Sequence, residues 1–165
     1  MKTTLNEIYK RKPCQYSFGK LLKYLGKSEP DDNPLYFTEI YLGAGQRFTL
    51  WVMGWCADEK LQTKLAVSLA EEVRYLMPDQ SRNVIKAAKQ FARGTASKEY
   101  MENVRDIAFK ASGDNLCAAG QAADSAAGGS LVHCAEVAAL AAAEAARKCA
   151  ESRQSEIILN FLMEH

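Results

Sequence analysis

The stretch from Met101 to Cys149 constrains this chain most, because its small side chains recur at one spacing and restart after a single cluster of Gly128, Gly129 and Ser130. Met101, Val104, Ala108, Ala111, Asn115, Ala118, Ala122 and Ala126 follow the alternation of threes and fours that lines one face of a helix. Glu99, Glu102, Asp106, Lys110 and Asp114 fall on the other side. Beyond the glycines the pattern resumes as Leu131, Cys134, Ala138, Ala141, Ala145 and Cys149. Two such seams predict one interface, an antiparallel helical hairpin whose first arm runs from Ser97 to the glycines. Alanine forms helix readily but buries little area, so the hairpin must gain stability through close approach of its axes, at about 8 Å. Asn115 interrupts the first seam: buried, it would need a hydrogen-bond partner and could fix the register of the two helices, whereas at the rim, the favoured reading, it has no such role.

The rest of the chain reads as helices leaning on that hairpin. The expected fold is all-α: one helical bundle domain over residues 1–165, with N-terminal helices in 1–45 and the bundle core in 46–163. Thr4 with Glu7 fits a capping box, opening a short helix that Pro13 ends. Phe18, Leu21, Leu22 and Leu25 mark a second helix closed by Gly26, and KSEPDDNP is a surface loop. The run LYFTEIYL, residues 35–42, suits strand or helix by composition and is assigned to helix, with Gly43 and Gly45 forming the turn after it. Phe48, Trp51, Val52 and Trp55 share a face and read as core. Asp58 caps a helix carrying Leu61, Leu65, Leu69, Val73 and Leu76, which stops at Pro78. Asp79 caps the next, running to Gly94 with Val84, Ala87, Ala88, Phe91 and Ala92 inward. The second hairpin arm continues into Ile157, Ile158, Phe161 and Leu162.

Charge supplies the clearest surface feature. Arg82, Lys86, Lys89 and Arg93 recur at spacings of four, three and four, along one edge of a helix. Such a row is by default a solvated face; as a site it would meet a phosphate, a nucleotide or an acidic protein surface. No aromatic residue interleaves with it, which argues against a nucleic-acid platform. The net charge is +1, yet residues 1–27 hold Lys2, Lys10, Arg11, Lys12, Lys20, Lys23 and Lys27 against Glu7 alone, so that end could face an acidic partner.

Several chemistries find no foothold. Five cysteines without a CxxC pair read as reduced, mostly buried thiols. His133 and Cys134 with distant Cys117 make a poor match to metal-ligand spacing, so neither metal nor cofactor is expected. GAGQRF lacks the third glycine of a dinucleotide fingerprint, with Phe48 in its place. No GxSxG, HExxH or P-loop pattern occurs, His133 and His165 are the only imidazoles, and neighbouring Glu71 and Glu72 diverge around their helix. The expectation is therefore a non-catalytic protein. With no early apolar signal region and no apolar stretch of about 18 residues, it is expected in the cytoplasm, without a membrane partner.

SRNVIKAAKQFARGTASKEYMENVRDIAFKA, the alanine hairpin and AAEAARKCAESRQSEIILNFL together resemble a family of small immunity proteins common in phage and prophage genomes. Arg82, Ala87 and Phe91, the Ala92-Arg93-Gly94 turn, and Arg153 with Gln154 before the apolar tail carry the likeness, which spans roughly residues 46–163. The resemblance implies an all-α binding protein that neutralises a partner: a toxin, or a bacterial defence protein where the carrier is a phage. A phage protein of this kind could instead sequester a nucleotide signal. The first role predicts an interface at Arg82, Lys86, Lys89 and Arg93, or at the acidic loop from Glu29 to Asp32. The second predicts a pocket, which could lie between protomers of a homo-oligomer, where Arg47, Trp51 and Tyr75 converge.

Overall fold

The computed structural model describes residues 1–112, 118–128 and 130–164, and the side chains of all of these but 112, 118, 119 and 142–152. The expectations for Asn115, Cys117, Ala118, Gly129, Ala145, Cys149 and His165 lie outside the described residues or side chains. Among the described residues the fold is all-α apart from one two-stranded ladder, in which β1 (Lys2–Thr3) pairs antiparallel with β2 (Leu35–Tyr36). The chain groups into two compact units, Met1–Cys56 with Ile158–His165, and Ala57–Ile157.

In the first unit, α1 (Leu5–Lys10) starts at the predicted capping box. The Glu7 amide donates to Thr4 Oγ1 at 3.1 Å, and the Thr4 amide donates back to Glu7 Oε2 at 3.2 Å. Six residues bury only Leu5 and Ile8, so the cap supplies much of what keeps so short a helix wound. Lys12 takes a positive φ of 53° just before Pro13, and α2 (Gln15–Tyr24) follows. Gly26, at φ 66°, closes it as expected: the Lys27 amide reaches back to the Leu22 carbonyl at 2.9 Å, the long bond of a Schellman turn.

The assignment of 35–42 to helix needs correcting at its start. Leu35 and Tyr36 are β2, and α3 spans Phe37–Ala44. Extended backbone at Tyr36 lets its amide donate to Glu39 Oε2 at 2.8 Å, so the strand end also serves as the helix cap. Gly43 is also not part of a turn but lies within α3, against α2. A Cβ there would stand 2.9 Å from Tyr24 Cδ1 and 3.0 Å from Leu21 Cδ1, so its missing side chain permits the close approach. Gly45 alone, at φ 84°, makes the bend into α4 (Gln46–Cys56). There Phe48, Thr49, Leu50, Val52 and Met53 are buried, while Trp51 and Trp55 stay half-buried. The Thr49 hydroxyl escapes isolation by donating to the Gly45 carbonyl at 3.0 Å.

The second unit begins with α5 (Glu59–Glu71), capped by Asp58, whose Oδ1 accepts the Leu61 amide at 3.0 Å. Leu65, Leu69 and Val73 of its stripe are buried; Leu76 is exposed, because the chain leaves α5 for a 3-10 turn, Arg74–Leu76, before Pro78. α6 (Asp79–Ala92) buries Val84, Ile85, Ala87, Ala88 and Phe91. Asp79 is its first residue rather than its cap, since Pro78 holds the cap position and no side chain closes it. The FARG turn is a second Schellman turn, with Gly94 at φ 75° and the Thr95 amide on the Gln90 carbonyl at 2.9 Å. Ser97 then caps α7 (Lys98–Ser112), its Oγ accepting the Tyr100 amide at 3.1 Å.

The first hairpin arm is not one helix. Arg105 of α7 grips Asp124 of α8 (Ala118–Ala127) with two bonds, Nε to Oδ1 at 2.6 Å and a terminal nitrogen to Oδ2 at 3.1 Å. Nineteen residues of continuous helix would hold them about 28 Å apart. α8 therefore folds back along α7, and the alanine hairpin is the pair formed by α8 and α9 (Leu131–Glu164). Its turn lies where the glycines predict it, closed by the Ser130 amide on the Ser125 carbonyl at 3.1 Å. Across it, Cys134 Sγ donates to the carbonyls of Ala122, at 3.5 Å, and of Ala66 on α5, at 3.3 Å. Ala122, Ala123, Ala126 and Ala127 are all buried, as α8 packs against α5, α6 and α7 as well. Only side chains this small let one helix be enclosed on so many sides.

Candidate functional site

The amphipathic pattern of α6 buries Val84, Ile85, Ala87, Ala88 and Phe91, and the same 3.6-residue period sends Arg82, Lys86, Lys89 and Arg93 to its outer edge. The four are not equivalent. Arg82 lies 3.4 Å from Asp79 Oδ1 in the preceding turn. Lys89 is half-buried and reaches Glu71 of α5, with Nζ 3.0 Å from Oε1. Lys86 and Arg93 are exposed, about two turns apart along the helix. At the far end a second cation joins Arg93: a Cβ on Gly94 would be 3.3 Å from Lys60 Nζ, which places that ammonium beside the FARG turn. The row is thus a cationic edge with Lys86 and Arg93 outermost, mounted on a helix fixed by its apolar face.

The residues suggested for a pocket fall in different units. Arg47 is exposed and Trp51 half-buried in α4 of the first unit, where Trp51 meets the rings of Phe48 at 5.6 Å and Trp55 at 6.0 Å. Tyr75 is exposed in the 3-10 turn of the second. Within the acidic loop Asp31 binds Lys27 at 2.7 Å, and that contact holds its carboxyl below the usual range.

A cleft that the sequence did not single out lies in the first unit. It is an open cleft of about 430 Å³ between Lys2 of β1, Glu7, Lys10 and Arg11 at α1, and Trp55 and Cys56 at the end of α4. The basic run Lys10-Arg11-Lys12 was visible in the sequence, but residues some 45 positions apart give no period that would join Arg11 to Trp55. Glu7 is exposed but engaged locally, its Oε2 accepting the Thr3 hydroxyl at 2.7 Å besides the Thr4 amide. The Arg11 guanidinium lies over the Trp55 ring, 5.3 Å from its centroid, and Lys2 lies 4.8 Å from that of Tyr36. The indole N–H of Trp55 is buried without an acceptor. Burial pushes the Cys56 thiol above its ordinary range, so it is neutral at physiological pH.

The thiols differ sharply. Exposed Cys14, just ahead of α2, is lowered by the backbone N–H groups of Ser17 and Tyr16, whereas enclosure of Cys134 pushes it up to about 12. His133 is exposed, and among the described residues no three His, Cys, Asp or Glu side chains gather as a metal site would require. Among the described residues, no helix is long and apolar enough to cross a membrane. No protein-family model, curated protein or solved structure matches this chain.

Proposed function

We propose that this is a non-catalytic binding protein that neutralises a protein partner, either a toxin or a bacterial defence protein, in the cytoplasm of a bacterium or a phage-infected cell. The observation that carries this reading is the cationic edge of α6, where exposed Lys86 and Arg93 project from a helix whose other face is locked into the second unit. Rigid presentation lowers the entropy lost on docking, and exposed cations accelerate encounter with an acidic surface in a salt-sensitive way. Arg82 and Lys89, paired to Asp79 and Glu71, serve as the flanks of that surface.

The test is growth rescue in bacteria carrying individual toxins or defence systems, followed by size-exclusion analysis of the rescuing pair. The double variant Lys86→Glu with Arg93→Glu should keep the parent melting temperature and lose rescue together with co-elution. Complete rescue by that variant would remove α6 from the interface. An absence of rescue and of complex across the panel would defeat the neutralising role.

A further inference from the structure

We propose that the cleft of the first unit is a binding site for a phosphoryl oxyanion, taken as inorganic phosphate or pyrophosphate or as the phosphate end of a phosphorylated metabolite. The site is separate from the α6 interface and does not depend on it.

Its lining carries three cations and one carboxylate, and that carboxylate is already engaged with Thr3 and Thr4. Among the described residues, Lys2, Lys10 and Arg11 take part in no salt bridge, although ten of the chain's acidic groups lie within its first 79 residues. Arg11 is held in orientation by the Trp55 ring beneath it. A guanidinium can meet an oxyanion with its N–H groups in forked fashion. Lys2 is steadied in the same way on Tyr36. A volume of about 430 Å³ falls in the range of small-ligand sites.

The shape of the donor set selects the chemistry. A monocarboxylate brings one charge and two oxygens in a plane, which cannot serve cations arriving from both β1 and the end of α1. A phosphoryl group brings up to two charges and three tetrahedrally disposed oxygens. Recognition of a nucleotide base is not built in, since Arg11 covers Trp55 and Trp51 meets the same ring edge-on at an interplanar angle of 72°.

Calorimetric titration of the full chain at low salt, read in parallel by tryptophan emission, tests this. Pyrophosphate should bind saturably and more tightly than phosphate, ADP should match it without exceeding it, and citrate and adenosine should bind far more weakly. ADP binding more tightly than pyrophosphate would point to a nucleotide source, and equal affinities to the phosphoryl group alone. Lys10→Ala with Arg11→Gln should weaken pyrophosphate about tenfold or more, while Arg11→Lys, which keeps charge and loses the fork, should fall between. Lys2→Ala gives a further weakened variant that leaves the Trp55 stack intact. Lys86→Glu with Arg93→Glu should bind pyrophosphate like the parent. The site is refuted by absent saturation with pyrophosphate, by citrate or adenosine binding as well as ADP, or by undiminished affinity in the Lys10, Arg11 and Lys2 variants. Growth rescue by those variants is expected to be unchanged, so each proposal can fail alone.

Discussion

The three described cysteines show how one side chain takes three characters from its surroundings. Cys14 sits at the N-cap position of α2 in open solvent, where backbone N–H groups favour the thiolate; Cys56 is partly desolvated; Cys134 is enclosed among α5, α8 and α9. Thiolate is the nucleophile, so alkylation by iodoacetamide should follow the order Cys14, Cys56, Cys134, read peptide by peptide in a time course. The rate at Cys14 should level off at a lower pH than for an ordinary thiol. Cys134 also makes stability depend on pH. Its folded value is raised from 9.0 to about 12, so its contribution is fully present below pH 9 and is lost as pH rises from there toward 12, where only the unfolded state ionises freely. The urea midpoint of the parent should therefore fall more between pH 8 and pH 11 than that of Cys134→Ala. Equal slopes would mean that the thiol is not enclosed.

At the scale of elements, the alanine seam depends on closeness. Ala122 and Ala138 are fully buried on α8 and α9, and a leucine at either position has nowhere to go without separating the helices. Ala122→Leu or Ala138→Leu should cost about 1–3 kcal/mol in urea denaturation. Ala111→Leu, exposed on α7 despite falling on the same sequence period, should change stability by no more than about 0.5 kcal/mol. That contrast carries the correction to the first arm. Periodicity identifies a helical face but cannot tell one helix from two whose phases happen to agree, and the Arg105–Asp124 pair that reveals the fold-back joins residues with no sequence relationship. The same limit applies to Leu35 and Tyr36, which have the composition of strand but become one only because Lys2 and Thr3 lie alongside.

For the whole molecule, the end of α9 belongs with a unit built mainly from the first 56 residues. Ile158, Phe161 and Leu162 are buried there, each worth about 1.5–3 kcal/mol when fully enclosed. Deleting residues 158–165 should lower the urea midpoint markedly and diminish the near-ultraviolet circular dichroism of Trp51 and Trp55, whereas Met163→Ser, at an exposed position, should leave both unchanged. Retention of the parent signals would separate that segment from the first unit. The caps at Thr4, Asp58 and Ser97, the Schellman glycines, the buried stripe of α6 and the turn at Gly128 were legible in the sequence, because each is set by interactions within five or six residues along the chain. Tertiary structure alone decided that the first hairpin arm is two helices, that Lys89 of α6 is paired with Glu71 of α5, and that Lys2, Arg11 and Trp55 share a cleft. Those outcomes depend on which distant surfaces meet, and burial drives surfaces together without leaving a periodic mark on the residues that end up as neighbours.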